Sequence, residues 1–168
     1  PYMVGCLTGS LDGHSVFVDD MVIWADGSRE NQVADLEHRL CLILDWANTN
    51  GVDFNISKTK HVIFGAYSQP AKVKMGTQVL PREEEYKYLG VLFHSSLKFD
   101  RHIEQVIMPK VNREIGFTKH LLSSYRGSAR CTFKRLLWQS KIRPLIEYGA
   151  GIWTGSVSEY LLKKFDQL

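Results

Sequence analysis

A chain of 168 residues with 44% apolar content fits one domain or two small ones and is long enough to bury an ordinary core. No apolar run approaches the ~20 residues of a membrane span, and no signal-peptide pattern opens the chain. Cys6, Cys41 and Cys131 lie far apart and give no sign of a zinc site or disulfide framework, so an intracellular, reducing setting (nucleus, cytoplasm or both) is expected. The net charge of +3 hides a gradient: residues 1–50 carry −6, residues 51–95 carry +2 and residues 96–168 carry +7. An acidic half able to hold cations and a basic half able to track phosphates is one reading; chance clustering of solvated charges is the other.

Residues 1–14 read as loop, with a short strand over 2–6. Residues 16–25, Val-Phe-Val-Asp-Asp-Met-Val-Ile-Trp-Ala, set two apolar runs around a polar break, the pattern of a tight β-hairpin. Asp19-Asp20 is a poor structural turn, because two-residue loops want φ > 0, which Asn-Gly or Asp-Gly supplies with less strain. The carboxylates also repel, and no Lys or Arg lies within eight residues of them. A hard divalent cation would explain the pair, since Mg²⁺ takes oxygen ligands; a solvated acidic turn is the alternative.

Ser28 is placed to cap a helix whose apolar residues recur at Val33, Leu36, Leu40, Ile43, Leu44 and Ala47, with Gly51 at its left-handed end. Cys41, Leu42 and Trp46 widen that stripe, so the helix is expected to pack on a sheet. Residues 52–56 alternate, Ser57–Lys60 interrupts, residues 61–65 read as a strand, and Gly76-Thr77 as the tip of a second hairpin. Residues 86–93 alternate again, with Gly90 suited to a close backbone approach. The period then becomes helical: one helix over 100–125 capped by Asp100 and bent at Pro109, another over 128–142 capped by Ser128 and stopped by Pro144, and a last one opened by Ser156 with Tyr160, Leu161 and Phe165 inward. Trp138, Trp153 and Tyr148 are expected in the core. Strands with one helix followed by an all-helical tail read as α+β, with a boundary near Ser95-Ser96.

Phe17-Val18-Asp19-Asp20 resembles the palm-domain signature of reverse transcriptases. Further landmarks arrive in the order shown by polymerases of non-LTR (LINE-type) retrotransposons: Asp45-Trp46-Ala47-Asn48, Asn55-Ile56-Ser57-Lys58-Thr59-Lys60, Tyr86-Lys87-Tyr88-Leu89-Gly90-Val91, and Ile142-Arg143-Pro144 with Glu147-Tyr148-Gly149-Ala150 and Trp153. The resemblance implies the C-terminal part of a palm over residues 1–95, an antiparallel sheet with a packed helix, and a helical thumb over 96–168. It implies RNA-directed DNA polymerase activity: attack of a primer 3′-hydroxyl on a nucleotide α-phosphorus, with an RNA template, a DNA primer and dNTPs as partners. Two Mg²⁺ ions (or Mn²⁺) would assist, with Asp19 a direct ligand and Asp20 a weaker or more distant one.

The same resemblance sets Phe17 and Val18 beneath the primer terminus, Lys58 as a donor to leaving pyrophosphate, and Tyr88-Leu89-Gly90 as a primer grip. Lys58 and Lys60 as solvated residues, and Tyr88–Gly90 as a plain buried strand, remain the structural alternatives. Arg126, Arg130, Lys134, Arg135, Lys141 and Arg143 cluster on the middle thumb helix. Arg130, Lys134 and Lys141 share one face of a regular helix, suited to phosphates of an RNA–DNA duplex or simply to solvent. Family members carry a further catalytic Asp far upstream of the hairpin, and Asp12 is too near to be it. Pro1 and the uncapped Leu168 suggest a piece of a longer reading frame, so fingers and the rest of the palm are expected elsewhere and the piece alone is expected to be inactive. A relic that only binds RNA or DNA is the competing function.

Overall fold

A computed structural model describes residues 13–25, 32–64, 72–123 and 127–165, with backbone alone for 32 and 127–130. The strand expected over 2–6 and the Ser28 cap lie outside the described residues. The chain forms two compact units, one of Pro1–His61 with Tyr67–Glu83, the other of Val62–Ala66 with Glu84–Leu168. The division therefore comes at residues 83 and 84, and the boundary expected near Ser95-Ser96 falls inside the second unit.

In the first unit, β1 (His14–Phe17) pairs with β2 (Asp20–Ile23) as an antiparallel hairpin. Alternation sends Met21 and Ile23 to one face, where they pack on the buried Ile43 of helix α1 (Gln32–Asn50). The predicted 3.6-residue stripe is present: Leu40, Ile43 and Ala47 are buried. The stripe is narrower than expected, because Cys41 and Leu42 are exposed. Gly51 at φ +67 closes α1, and the Val52 N–H donates to the Ala47 carbonyl at 2.9 Å, the six-to-one bond of a Schellman motif. The Gly76-Thr77 hairpin forms as read, from β3 (Lys74–Met75) and β4 (Gln78–Val79), and its Val73, Met75 and Leu80 bury against Leu40.

Two predicted extended stretches are not strands. Asn55 turns the chain into a 3₁₀ helix, Ile56–Lys58, by accepting from the Lys58 N–H and the Ser57 hydroxyl. The strand expected over 61–65 is one parallel bridge, His61 to Arg82: the His61 N–H and C=O are taken by Pro81 and Glu83, and pairing goes no further among the described residues.

The second unit opens with β5 (Glu85–Tyr88) and β6 (Val91–His94). Helix α2 then runs as an α-helical turn Asp100–His102, a π-helical stretch Ile103–Ile107 and an α-helical stretch Met108–Leu122. Helix α3 repeats the design as Gly127–Leu137, the π-helical Trp138–Ile142 and Arg143–Glu147. Each π stretch ends just before a proline, Pro109 or Pro144. A proline has no N–H to give the carbonyl four residues back, and the wider turn absorbs the fault, so Pro144 does not stop α3 as expected. Gly149, at φ +66, ends the run before α4 (Ala150–Trp153). The last helix, α5, is Glu159–Phe165. Ser158 rather than Ser156 leads into it, and the Asp100 carboxylate accepts from the Ser158 N–H at 2.9 Å instead of capping its own helix. Ile103, Ile107, Val111, Ile142, Trp153 and Leu161 bury together as the core of this unit, while Tyr160 stays exposed with Lys164 over its ring.

The described residues form helices and small antiparallel sheets, and in place of the one palm sheet expected the strands make three separate two-stranded hairpins. Each covers its apolar side with a helix of its own unit, β1–β2 and β3–β4 with α1, β5–β6 with α2.

Candidate functional site

The β1–β2 register pairs Phe17 with Asp20, so the two-residue turn is Val18-Asp19, one place earlier than the Asp19-Asp20 tip suggested by the sequence. Asp20 is thus the first residue of β2, anchored in the ladder. Val18 has φ +56 and Asp19 does not have positive φ, the sign pattern of a type II′ turn. A β-branched residue is a costly occupant of that position. Phe17 and Asp20 share the face opposite Met21 and Ile23 and point away from α1. Phe17 is 57% and Val18 80% exposed. The hairpin therefore presents two carboxylates flanked by bare apolar surface, on strands held at their base by α1. Among the described residues neither acid forms an ion pair.

Such a donor set fits a hard divalent ion: two carboxylates on adjacent residues, open to solvent and with no cation paired to them among the described residues, offer the one or two protein oxygens that Mg²⁺ uses alongside water and phosphate. No group of three or more His, Cys, Asp or Glu able to hold a metal occurs among the described residues.

Lys58 and Lys60, similar in sequence, differ in setting. The Lys60 ammonium lies 3.5 Å from Glu83. Lys58, at the end of the 3₁₀ turn, is exposed and without an ion pair among the described residues, in a turn held by four hydrogen bonds to Asn55.

In the second unit, Leu89 and Gly90 form the β5–β6 turn, with φ +45 and +85, the two positive values of a type I′ turn. The Tyr148 hydroxyl donates to the Leu89 carbonyl at 2.6 Å. A Cβ on Gly90 would sit 3.2 Å from the Tyr148 ring, so glycine is needed both for its backbone and for the space. Tyr88 is half-buried with its hydroxyl unpaired. Tyr148 itself is 54% exposed: expected in the core, it braces the turn at the surface instead. Trp153 is buried as expected, donating to the Tyr148 carbonyl at 3.0 Å, whereas Trp138 is 37% exposed.

The basic cluster is divided. Arg126 and the Arg130 side chain lie outside the described residues. Lys134 and Arg135 line a groove between α2 and α3 with Trp138, Cys131 and Ile115. Lys141 lines a different recess, beside Leu89 and His102. An uninterrupted helix would put Lys134 and Lys141 on one face; the π stretch Trp138–Ile142, which holds Lys141, interrupts that spacing. Arg143 is paired with Glu147 at 2.6 Å.

Sequence reasoning missed His102. It is 1% exposed, and its Nδ1 accepts from the Leu92 N–H at 3.2 Å while Nε2 is buried without a partner. Burial first, then the ammoniums of Lys110 and Lys87, holds its pKa below the usual histidine value. The available signal was a polar residue inside the apolar period of Phe99, Ile103, Val106 and Ile107.

Comparison with known proteins gives two relatives. The chain is 28% identical over 149 residues, 86% of its length, to the probable RNA-directed DNA polymerase from transposon X-element of Drosophila melanogaster. It is 30% identical over 102 residues, 58% of its length, to the RNA-directed DNA polymerase from mobile element jockey of Drosophila funebris. These matches span 16% and 11% of the respective relatives. No family model and no solved structure matches. Over most of its length, then, the chain is similar to RNA-directed DNA polymerases of non-LTR retrotransposons.

Proposed function

We propose that this chain supplies the C-terminal palm and the thumb of an RNA-directed DNA polymerase, and that its β1–β2 hairpin carries part of the catalytic centre. The observation that carries the reading is the tip itself: Asp19 and Asp20 side by side, exposed and without an ion pair among the described residues, on a hairpin packed against α1. Held by Asp19 with Asp20 beside it, Mg²⁺ would stabilise the entering and departing oxygens of an in-line phosphoryl transfer. Phe17 and Val18 offer an apolar shelf for the terminal nucleotide of the primer. Lys58, without an ion pair among the described residues where Lys60 has one, is the better candidate to donate a proton to the leaving pyrophosphate. The braced turn at Leu89 and Gly90 presents backbone to the primer strand, and Lys134, Arg135 and Lys141 present charge to phosphates, without reading sequence. In this reading a further carboxylate and the nucleotide-gripping segment come from outside these 168 residues, and the chain alone does not polymerise.

The test is primer extension on an RNA template with Mg²⁺, using the longer protein that contains this chain. Asp19→Asn should lower the rate on the order of 10³-fold, the scale set by loss of a charge-stabilising group, and Asp20→Asn about tenfold to a hundredfold. Extension that survives Asp19→Asn overturns the assignment. Duplex binding without any extension would favour the reading of a nucleic-acid-binding relic.

A further inference from the structure

The groove between α2 and α3 has an apolar floor that contact with phosphates does not use. Its most enclosed lining is Ile115, Thr118, Leu122 and Ile142, buried or half-buried. Trp138, 37% exposed, and the exposed Cys131 line it nearer to solvent. The space measures about 810 Å³, within the range of binding clefts.

The rim carries charge of one sign. Lys119 from α2, with Lys134 and Arg135 from α3, are exposed there and form no ion pair among the described residues. No carboxylate stands among the described residues that line the groove. Phosphates would account for the three cations but not for the surface between them. An aliphatic floor gives a phosphate no hydrogen bond, and Trp138 is the single aromatic side chain lining the groove on which a base could stack. Aliphatic side chains flanked by carboxylates answer both the floor and the rim. The length fits as well: Ile115, Thr118, Lys119 and Leu122 occupy two turns of α2, about 10 Å. A helix laid in such a groove presents anchors at the same i, i+3, i+4 and i+7 spacing.

We propose that the α2–α3 groove docks an acidic amphipathic helix of a partner protein. Its aliphatic side chains rest on Ile115, Leu122 and Ile142, and its carboxylates face Lys119, Lys134 and Arg135. The charge on the rim guides the helix in and fixes its register, while the floor supplies the buried contact. The proposal does not rest on the polymerase reading, although a helix so placed covers two of the cations offered above to phosphates.

The test titrates the 168-residue protein with a peptide of about 15 residues, long enough to hold a helix, with Leu at i, i+3, i+4 and i+7 and Glu on both flanks. Methyl and amide NMR should show shifts at Ile115, Leu122, Ile142 and the Trp138 indole. The peptide should also slow iodoacetamide alkylation of Cys131 but not of Cys41, which is exposed in the other unit. Exchanging the four Leu for Ser should weaken binding at least about tenfold, as loss of buried anchors does. Lys134→Glu with Arg135→Glu alters only exposed side chains, so the fold should stand. That pair should weaken the Glu peptide at least about tenfold and take up a version with Lys in place of Glu. An RNA–DNA duplex or an oligo-dT strand should leave the three floor methyls unshifted. Floor methyls that answer either nucleic acid rather than the peptide overturn the proposal. So do an absence of floor shifts with the Glu peptide, equal binding of the Ser version, or a reversed pair that holds the Glu peptide as tightly as the parent. Each outcome is read without primer extension, so loss of polymerase activity in Asp19→Asn leaves it standing.

Discussion

The chain builds two hairpins to nearly the same plan and treats their turns in opposite ways. Both β1–β2 and β5–β6 join four-residue strands through two residues, and both put a branched aliphatic side chain at positive φ in the first turn position, Val18 at +56 and Leu89 at +45. Each such residue costs about 1–2 kcal/mol. At Leu89 the neighbouring structure offsets it: Gly90 takes the second positive φ without strain, and Tyr148 ties down the carbonyl. At Val18 no such brace exists among the described residues, the side chain is 80% exposed, and the next two residues are the acids. A strained tip left bare beside two carboxylates is placed for something other than its own packing, whereas a strained tip that is braced has become part of a wall.

Breaking the brace should have the largest effect on stability. Gly90→Ala puts a Cβ 3.2 Å from the Tyr148 ring at a φ of +85, so it should destabilise the second unit by about 1–3 kcal/mol. Urea unfolding followed by Trp153 fluorescence reads the loss, and the β1–β2 amide shifts should not move. Tyr148→Phe removes only the bond to the Leu89 carbonyl, for about 0.5–1.5 kcal/mol. Faster amide exchange confined to the β5–β6 turn would identify the brace as the cause; an equal cost with unchanged exchange there would break the comparison.

A gentler probe is pH. His102 titrates below its ordinary value of 6.5 when folded, so an unfolded chain takes up the proton first as pH falls. Stability should be flat above about 6.5 on this account, decline as pH drops from there toward the folded pKa, and level off below it. His102→Asn should remove that slope.

How far the sequence anticipated these features depends on whether the cause was local. The α1 stripe, Gly51 and the Gly76-Thr77 hairpin were legible because periodicity and one left-handed glycine determine them. The acidic tip was legible as chemistry but not in register, since Val18 occupies a turn position that propensity disfavours. Residues 61–65 look like a strand by composition, but a strand needs a partner, and among the described residues the pairing is the single His61–Arg82 bridge. The shared face of Lys134 and Lys141 depends on regular helical spacing, which the π stretch Trp138–Ile142 interrupts, and the two line different recesses. His102 and Tyr148 gain their roles from contacts ten and fifty-nine residues away, which no window along the chain contains.

The smallest stability change should come from the bare tip, where it separates strain from use. Val18→Gly relieves the positive φ but adds freedom to the unfolded chain, and the two nearly cancel, leaving less than about 1 kcal/mol of net change. If Val18 were only a tolerated fault, primer extension by the longer protein would follow stability and stay level. If the strained residue holds Asp19 and Phe17 in their directions, extension should fall about tenfold while urea midpoints hardly move, because a glycine turn lets both neighbours wander from the geometry they share. A Val18→Gly protein as active as the parent would mean that the bare turn owes its conformation to the hairpin alone, and the contrast with the braced turn would then concern folding rather than chemistry.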